Sequence, residues 1–386
     1  MIRALVDEKR ILVCVGPGGV GKTTTAAAIG ALAARRGRRT LICTIDPAPR
    51  LADALGLGGI GLGPDPRAVP PAACRALGIP DDGTERLFAV RLDTEKTFAR
   101  FVESEVADPA MRRRIFDNTI YRQITTALTG SQEYAATLAL YDLARNGGFD
   151  LIVLDTPPTA NALDFLDAPK RIAAAISSPA IKWFARPPAG AAGAARFSFQ
   201  RLWAGGALVV RRLAKLVGSQ FLDDVTAFLV DFQGVLGGFL NRATAIDRLL
   251  RGDDVSFLLV LAPAAAAVEE ALYFHARLRE AGVPLGAFIA NRVAPAPGMV
   301  DGGALAEALR AETAFADLSP AAITEAAARL EPLARGFATL HTSERQQLER
   351  LSARAPATAI TRVPRLDHDV DNLVELRVVG DSLLAG

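Results

Sequence analysis

Short, unbroken apolar runs alternate along most of the chain with longer stretches of helical periodicity. Ile11, Leu12, Val13, Cys14 and Val15 form the first run; residues 40–45, 151–154, 255–261 and 285–290 are similar, and 87–92 and 358–363, with polar residues among the apolar ones, also read as strands. A run of about four to eight apolar residues without alternation predicts a strand buried on both faces. Between the runs, alanine-rich or amphipathic patterning predicts helices over residues 24–36, 94–106, 110–128, 131–145, 264–281, 304–312, 320–354 and 370–384, the second of them capped by Asp93. Strands alternating with helices describe an α/β fold: an open, mostly parallel sheet with helices on both faces, binding its ligands at the carboxyl edge of the strands. Residues 56–80, rich in Gly, Pro and Ala, are expected to form a loop or a poorly ordered excursion.

The pattern changes over residues 170–250, where strand-like runs are absent and amphipathic helices are expected around a Pro/Gly/Ala-rich break at 186–193. Phe221, Val225, Phe228, Leu229, Phe232, Leu236, Phe239 and Leu240 fall at helical spacing. Val209, Leu213, Leu216 and Val217 share a second face, opposite Arg211, Arg212 and Lys215. Packing of both stripes on the body of the protein is the favoured expectation; a groove for an apolar client, or a surface that touches a membrane, is the alternative. The expected organisation is a core in two parts, residues 1–169 and 251–386, with a helical insertion at 170–250.

Composition narrows the class without naming a function. Half of the 386 residues are hydrophobic, and 44 basic against 42 acidic residues leave a net charge of +2, which gives no reason to propose nucleic acid as a partner. Cys14, Cys43 and Cys74 are widely spaced without a C-x-x-C pair, so a structural zinc site or disulfide framework is not expected. His275, His341 and His368 lie far apart, which suits surface or capping roles. Residues 1–10 are short and charged with no apolar h-region, and no apolar run reaches spanning length; a cytoplasmic protein is expected.

The candidate chemistry sits at the ends of three strands. Gly16-Pro17-Gly18-Gly19-Val20-Gly21-Lys22-Thr23 satisfies G-x-x-x-x-G-K-[ST] directly after the first apolar run and directly before a helical stretch. Such a loop wraps backbone N–H groups around phosphates while the helix N-terminus points at them. Lys22 would reach the β/γ-phosphates and the Thr23 hydroxyl would join a Mg²⁺ shell. Asp46 ends the second strand, where a triphosphatase places a water-orienting carboxylate; the alternative is a turn residue before Pro47. Asp155 ends the strand at 151–154, the place of a second, metal-facing carboxylate.

Taken together, GPGGVGKTT, TIDPAPRLADAL, LDTPPTANALDFLDAP, IANRV and TRVPRLDHDV resemble the arsenical-pump and tail-anchored-protein targeting ATPase family, among the dimerising MinD- and nitrogenase-iron-protein-like P-loop proteins. The likeness extends in order along essentially the whole chain and is to bacterial "anion-transporting ATPase" members, some of which occur as paired paralogues. It implies ATP and Mg²⁺ as cofactors, with Lys22, Thr23 and Thr24 on phosphate and metal, Asp46 in switch I orienting the attacking water, Asp155 opening switch II, and Thr23, Asp46 and Asp155 as the metal-site residues. Asn291, with the segment around Pro364, would contact the adenine.

The departures are as informative. The family's G-K-G-G-x-G-K-[ST] carries an early lysine that reaches across a dimer; here Pro17 stands in that place, and Arg50 is the nearby candidate to substitute. Paired thiolates for arsenite, the zinc-binding C-x-x-C and a methionine-lined groove are missing, the methionines being Met1, Met111 and Met299. The expectation is a dimerising Mg²⁺-dependent ATPase that drives a conformational change of its helical insertion, as a homodimer or with a paralogous ATPase. The competing readings are a weakly active regulatory subunit, and an adaptor or chaperone for apolar membrane segments.

Overall fold

A computed structural model describes residues 1–58, 61–119, 121–122, 131–156, 167–171, 173–174, 219–298, 301–370 and 372–385. The elements used below run in chain order as α1 (Ile2–Glu8), β1 (Ile11–Val15), α2 (Lys22–Arg35), β2 (Thr40–Thr44), α3 (Arg50–Ala54), β3 (Arg67–Ala68), α4 (Pro71–Ala76) and β4 (Leu87–Arg91). There follow α5 (Thr94–Glu105), α6 (Pro109–Asp117), α7 (Ser131–Asn146), β5 (Leu151–Asp155), α8 (Ser219–Leu250), β6 (Val255–Leu261) and α9 (Ala265–Ala281). The last are β7 (Leu285–Val293), α10 (Gly302–Ala311), α11 (Pro320–Arg354), β8 (Ala359–Pro364) and α12 (Leu373–Ala385). The chain divides into two compact units, Met1–Arg91 with Gly148–Ala162 and Asp253–Gly386, and Leu92–Gly147 with Leu163–Gly252. The second unit thus contains the segment expected as an insertion and also takes in residues 92–147, which the sequence reading assigns to the core.

In the first unit the described residues form an eight-stranded sheet of order β3-β4-β2-β5-β1-β6-β7-β8. Every described pairing is parallel except β3 with β4. All five residues of β1 and all seven of β6 are buried, as strands covered on both faces must be. Helix α2 lies close on the sheet because its face is built of Ala26, Ala27, Ala31 and Ala34. At Gly30 even a methyl is too large, since a Cβ there would come within 2.5 Å of Ile42 Cδ1.

The register decides what meets at the carboxyl edge. Strand β1 is flanked by β5 and β6, and Cys14 faces Asp155 across one ladder. On the other side of β5, Thr44 is the register partner of the same Asp155. The loop after β1, the carboxylate ending β5 and the turn after β2 therefore leave the sheet side by side.

Two expectations are corrected here. Residues 56–80 are no loose excursion: they hold α4 and β3, which adds an antiparallel edge strand to the sheet. Leu57, Leu62, Val69, Ala73, Leu77 and Ile79 are all buried, so this stretch is anchored by its own apolar positions, which the surrounding Gly and Pro conceal. The helix expected over residues 110–128 is interrupted: α6 ends at Asp117, Asn118 is extended, residues 119, 121 and 122 are helical again, and 120 and 123–130 lie outside the described residues. Asp93 does cap α5, its side chain accepting from Lys96 N at 2.9 Å.

The second unit is held by aromatic packing. Phe239 of α8 lies edge-on to Phe101 of α5 with centroids 4.1 Å apart, and stacks on Tyr134 of α7 at 5.8 Å. Phe232 lies 5.4 Å from Phe239, and Phe228 stacks on Phe232 at 4.6 Å. All five rings are buried. At Phe228 and Phe232 the apolar stripe is therefore packed rather than offered as a groove. The side chains of Phe221, Val225 and Leu229, the stripe at Val209–Val217 and the break at 186–193 lie outside the described residues. Phe239→Ala should destabilise the protein by about 3–5 kcal/mol, the range for emptying a large buried aromatic site. Urea denaturation reads this, and a change within about 0.5 kcal/mol would mean that Phe239 is no core residue. Among the described residues no helix is long and apolar enough to cross a membrane.

Candidate functional site

The loop after β1 has the backbone that its glycines permit. Gly16 has φ of 146° and Gly21 φ of 90°, values that side chains resist. A Cβ on Gly16 would stand 2.1 Å from Val260 O, and one on Gly21 2.3 Å from Asn291 Nδ2, so both are also excluded by space. Gly18 and Gly19 are exposed at the turn, whereas Val20 inserts its side chain into the core and so pins the loop from behind. Gly21 is the residue before α2, which places Lys22, Thr23 and Thr24 in its first turn, where backbone N–H groups lack helical partners.

Lys22 is buried, and its Nζ donates to Pro17 O at 2.8 Å, so the side chain folds back over the loop. Burial lowers its pKa, opposed by the charge of Asp155. Thr23 Oγ1 donates to Asp155 Oδ2 at 2.7 Å, and Thr44 Oγ1 approaches the same oxygen at 3.3 Å. Asp155 is 2% exposed, and its Oδ1 has no hydrogen-bond partner among the described residues. Burial pushes its pKa up to about 6, against the bonds from Thr23 and Thr44 and the charge of Lys22. A desolvated carboxylate with one idle oxygen beside a threonine hydroxyl is an oxygen donor set of the kind a Mg²⁺ ion or its water shell satisfies. The residues present therefore fit the metal, and Thr23 and Asp155 would hold it.

Asp46 follows β2. Its Oδ1 accepts from Ala48 N at 2.9 Å, closing a turn through Pro47, while its Oδ2 stands 3.4 Å from Arg50 Nη1. Its own N–H donates to Thr44 Oγ1 at 3.2 Å. Thr44 thus links the Asp155 carboxylate to the Asp46 backbone through one hydroxyl. Sequence reasoning missed it, because a threonine inside an apolar strand reads as a β-branched filler; its place opposite Asp155 is a matter of register. Thr156, whose Oγ1 donates to Cys14 O at 2.8 Å, was missed in the same way. Cys14 and Cys43 are buried, and burial pushes both thiols up, as small hydrophobic residues rather than ligands. Among the described residues no group of three or more His, Cys, Asp or Glu side chains could hold a metal.

A cavity of about 450 Å³ opens over this cluster, lined by Gly19, Lys22, Thr23, Asp46, Arg50 and Thr156 among others. A second, of about 620 Å³, adjoins it through Gly21, Thr24, Arg292 and Val370, and is lined by Asn291, Pro364, Leu366 and His368. Both volumes fall within the roughly 300–1,000 Å³ of small-ligand sites. Asn291 is buried, with Nδ2 donating to Val20 O at 2.8 Å, so this amide also ties β7 to the phosphate loop. Pro364 ends β8 as the partner of Val293. The loops after β7 and β8 are held in turn by Glu344 of α11, a buried carboxylate that accepts from Ala294 N at 2.6 Å and pairs with Arg365 at 3.3 Å. His341 Nδ1 lies 3.0 Å from Ala294 O, one turn earlier on the same helix. All the expected site residues that are described lie in the first unit; residues 157–166, which continue from Asp155, lie outside the described residues.

Residues 9–182 match the model of a protein family described as "Anion-transporting ATPase". An uncharacterized protein of Streptomyces coelicolor is 32% identical over 167 residues, 43% of this chain and 39% of its own length. A putative arsenical pump-driving ATPase of Aquifex aeolicus is 24% identical over 292 residues, 74% of this chain and 64% of that protein. An ATPase get3 of Schizosaccharomyces japonicus is 28% identical over 155 residues, 40% of this chain and 42% of the other. The chain thus spans less than two thirds of the length of each of these curated relatives.

Proposed function

We propose that this chain, whose residues 9–182 match the anion-transporting ATPase family, binds ATP with Mg²⁺ and hydrolyses it to ADP and phosphate. The observation that carries this reading is the bond from Thr23 Oγ1, a residue lining the cavity, to Asp155 Oδ2 beside the idle Oδ1. The loop N–H groups hold the phosphates, and Lys22 moves from Pro17 O to a phosphate oxygen. When bound, Mg²⁺ neutralises charge on the phosphate oxygens. Asp46 orients the attacking water through Oδ2, its Oδ1 being engaged by Ala48 N and its backbone set by Thr44. Asn291 and Pro364 face the base from the second cavity.

Pro17 bears on who completes the site. A cation added to the developing phosphoryl charge lowers the barrier, as arginine fingers do. We propose that the chain dimerises in the cytoplasm, with a second copy or with a paralogue that carries the lysine, and that a copy acting only with itself turns over slowly. Arg50 is 64% exposed and held at Asp46, beside the cavity, where it can partly substitute. Pro17→Lys should then raise phosphate release from MgATP on the order of tenfold, or about 1.4 kcal/mol of barrier. No change, with the variant folded, would leave Pro17 without the role given to it here. A regulatory, nearly inactive subunit is the second reading, favoured by the same Pro17; there Pro17→Lys still binds ATP but gains no turnover.

A further inference from the structure

Arg292 has φ of 60°, in the left-handed region, and is the one non-glycine residue with positive φ among those described. The ladder between β7 and β8 shifts register between Ala290 and Val293, so Arg292 sits in an irregularity of the kind that re-aims a side chain beside a site. The conformation is imposed from both sides. Asn291 is tied to Val20 O, and Ala294 is gripped by Glu344 and His341, so the chain between them must turn as it does.

The turn delivers a guanidinium to the seam between the two cavities. Arg292 lines both of them, and no other charged residue described does so. The group is 57% exposed, with Nη1 3.5 Å from Gly19 O and Nη2 4.0 Å from the fully exposed carboxylate of Asp369. Both contacts are at the outer limit of such interactions, so neither occupies the fork of donors. An arginine fork matches phosphate oxygens in pairs. On the ATP reading above, the cavity on one side of it takes the triphosphate and the one on the other side the nucleoside.

We infer that Arg292 binds the nucleotide at the phosphate next to the ribose, and that its left-handed backbone is held for that contact. The inference rests on the ATP reading above. Because the phosphate next to the ribose is common to ATP, ADP and AMP, loss of Arg292 should weaken all three by a similar factor, about tenfold. Calorimetric titration of the three nucleotides onto wild type, Arg292→Gly, Arg292→Lys and Lys22→Ala tests this. Glycine adopts a positive φ freely, so Arg292→Gly should melt at or above the wild-type temperature while binding each nucleotide about tenfold more weakly. Arg292→Lys keeps the charge without the fork and should fall between. Unchanged affinity in Arg292→Gly, a loss confined to ATP, or a lower melting temperature with normal affinity would overturn the inference. If wild type binds ATP through Lys22 and Arg292→Gly binds as tightly, this inference alone fails; if wild type binds no nucleotide, the ATP reading fails with it.

Discussion

Lys22→Ala should weaken ATP binding about a hundredfold or more, close to 3 kcal/mol. The side chain sits under the loop with its ammonium within reach of the cavity, and its one described bond, to Pro17 O, is to a neutral carbonyl. A phosphate oxygen is a far better partner for that charge, and charge-assisted bonds in a buried site have the largest net effect. The fold does not depend on the residue in the same way. Burial lowers the pKa of Lys22, so the folded protein disfavours its charge even with Asp155 opposite. Removing it should therefore leave the melting temperature of the nucleotide-free protein within a few degrees of wild type. Isothermal titration with ATP, beside a thermal melt, separates the two; a large fall in melting temperature would make Lys22 a structural residue.

Asp46→Asn should reduce turnover by about 10²–10³ while leaving ATP affinity within a factor of a few, the range for loss of one positioned acid–base group. Asparagine retains the oxygen that accepts from Ala48 N, so the turn through Pro47 persists. What it removes is the charge at Oδ2, together with an ion pair to a mostly exposed arginine that contributes little to stability. The substitution thus isolates the chemical step. The turn does not exclude the proposed role of Asp46: Oδ1 accepts from Ala48 N, and Oδ2 is the oxygen that the proposed mechanism assigns to the water.

The parts of this site that were legible in the sequence are those that local patterning carries. The glycine loop has a fixed spacing, and an aspartate that ends an apolar strand of an α/β sheet lands at the carboxyl edge. Thr44 was illegible because its role depends on facing Asp155 across a ladder between strands more than a hundred residues apart in sequence. The left-handed Arg292 follows from restraints on Asn291 and Ala294 that come from the phosphate loop and from α11, and no local pattern records them. Strand β3 is two residues long, too short for any periodicity. The grouping of residues 92–147 with α8 was not legible for a related reason: α5 and α7 have ordinary amphipathic patterns, and the packing of Phe101 and Tyr134 on Phe239 and the pairing of Arg242 with Asp142 are long-range contacts.

On the proposed function, this chain hydrolyses ATP with Asp46 as the residue that orients water. Phosphate release from MgATP, followed for wild type and Asp46→Asn at equal nucleotide occupancy, tests it most directly. Wild type should release phosphate slowly and in a Mg²⁺-dependent way, and the rate should fall by about 10²–10³ in the variant. Equal rates from the two proteins would contradict it.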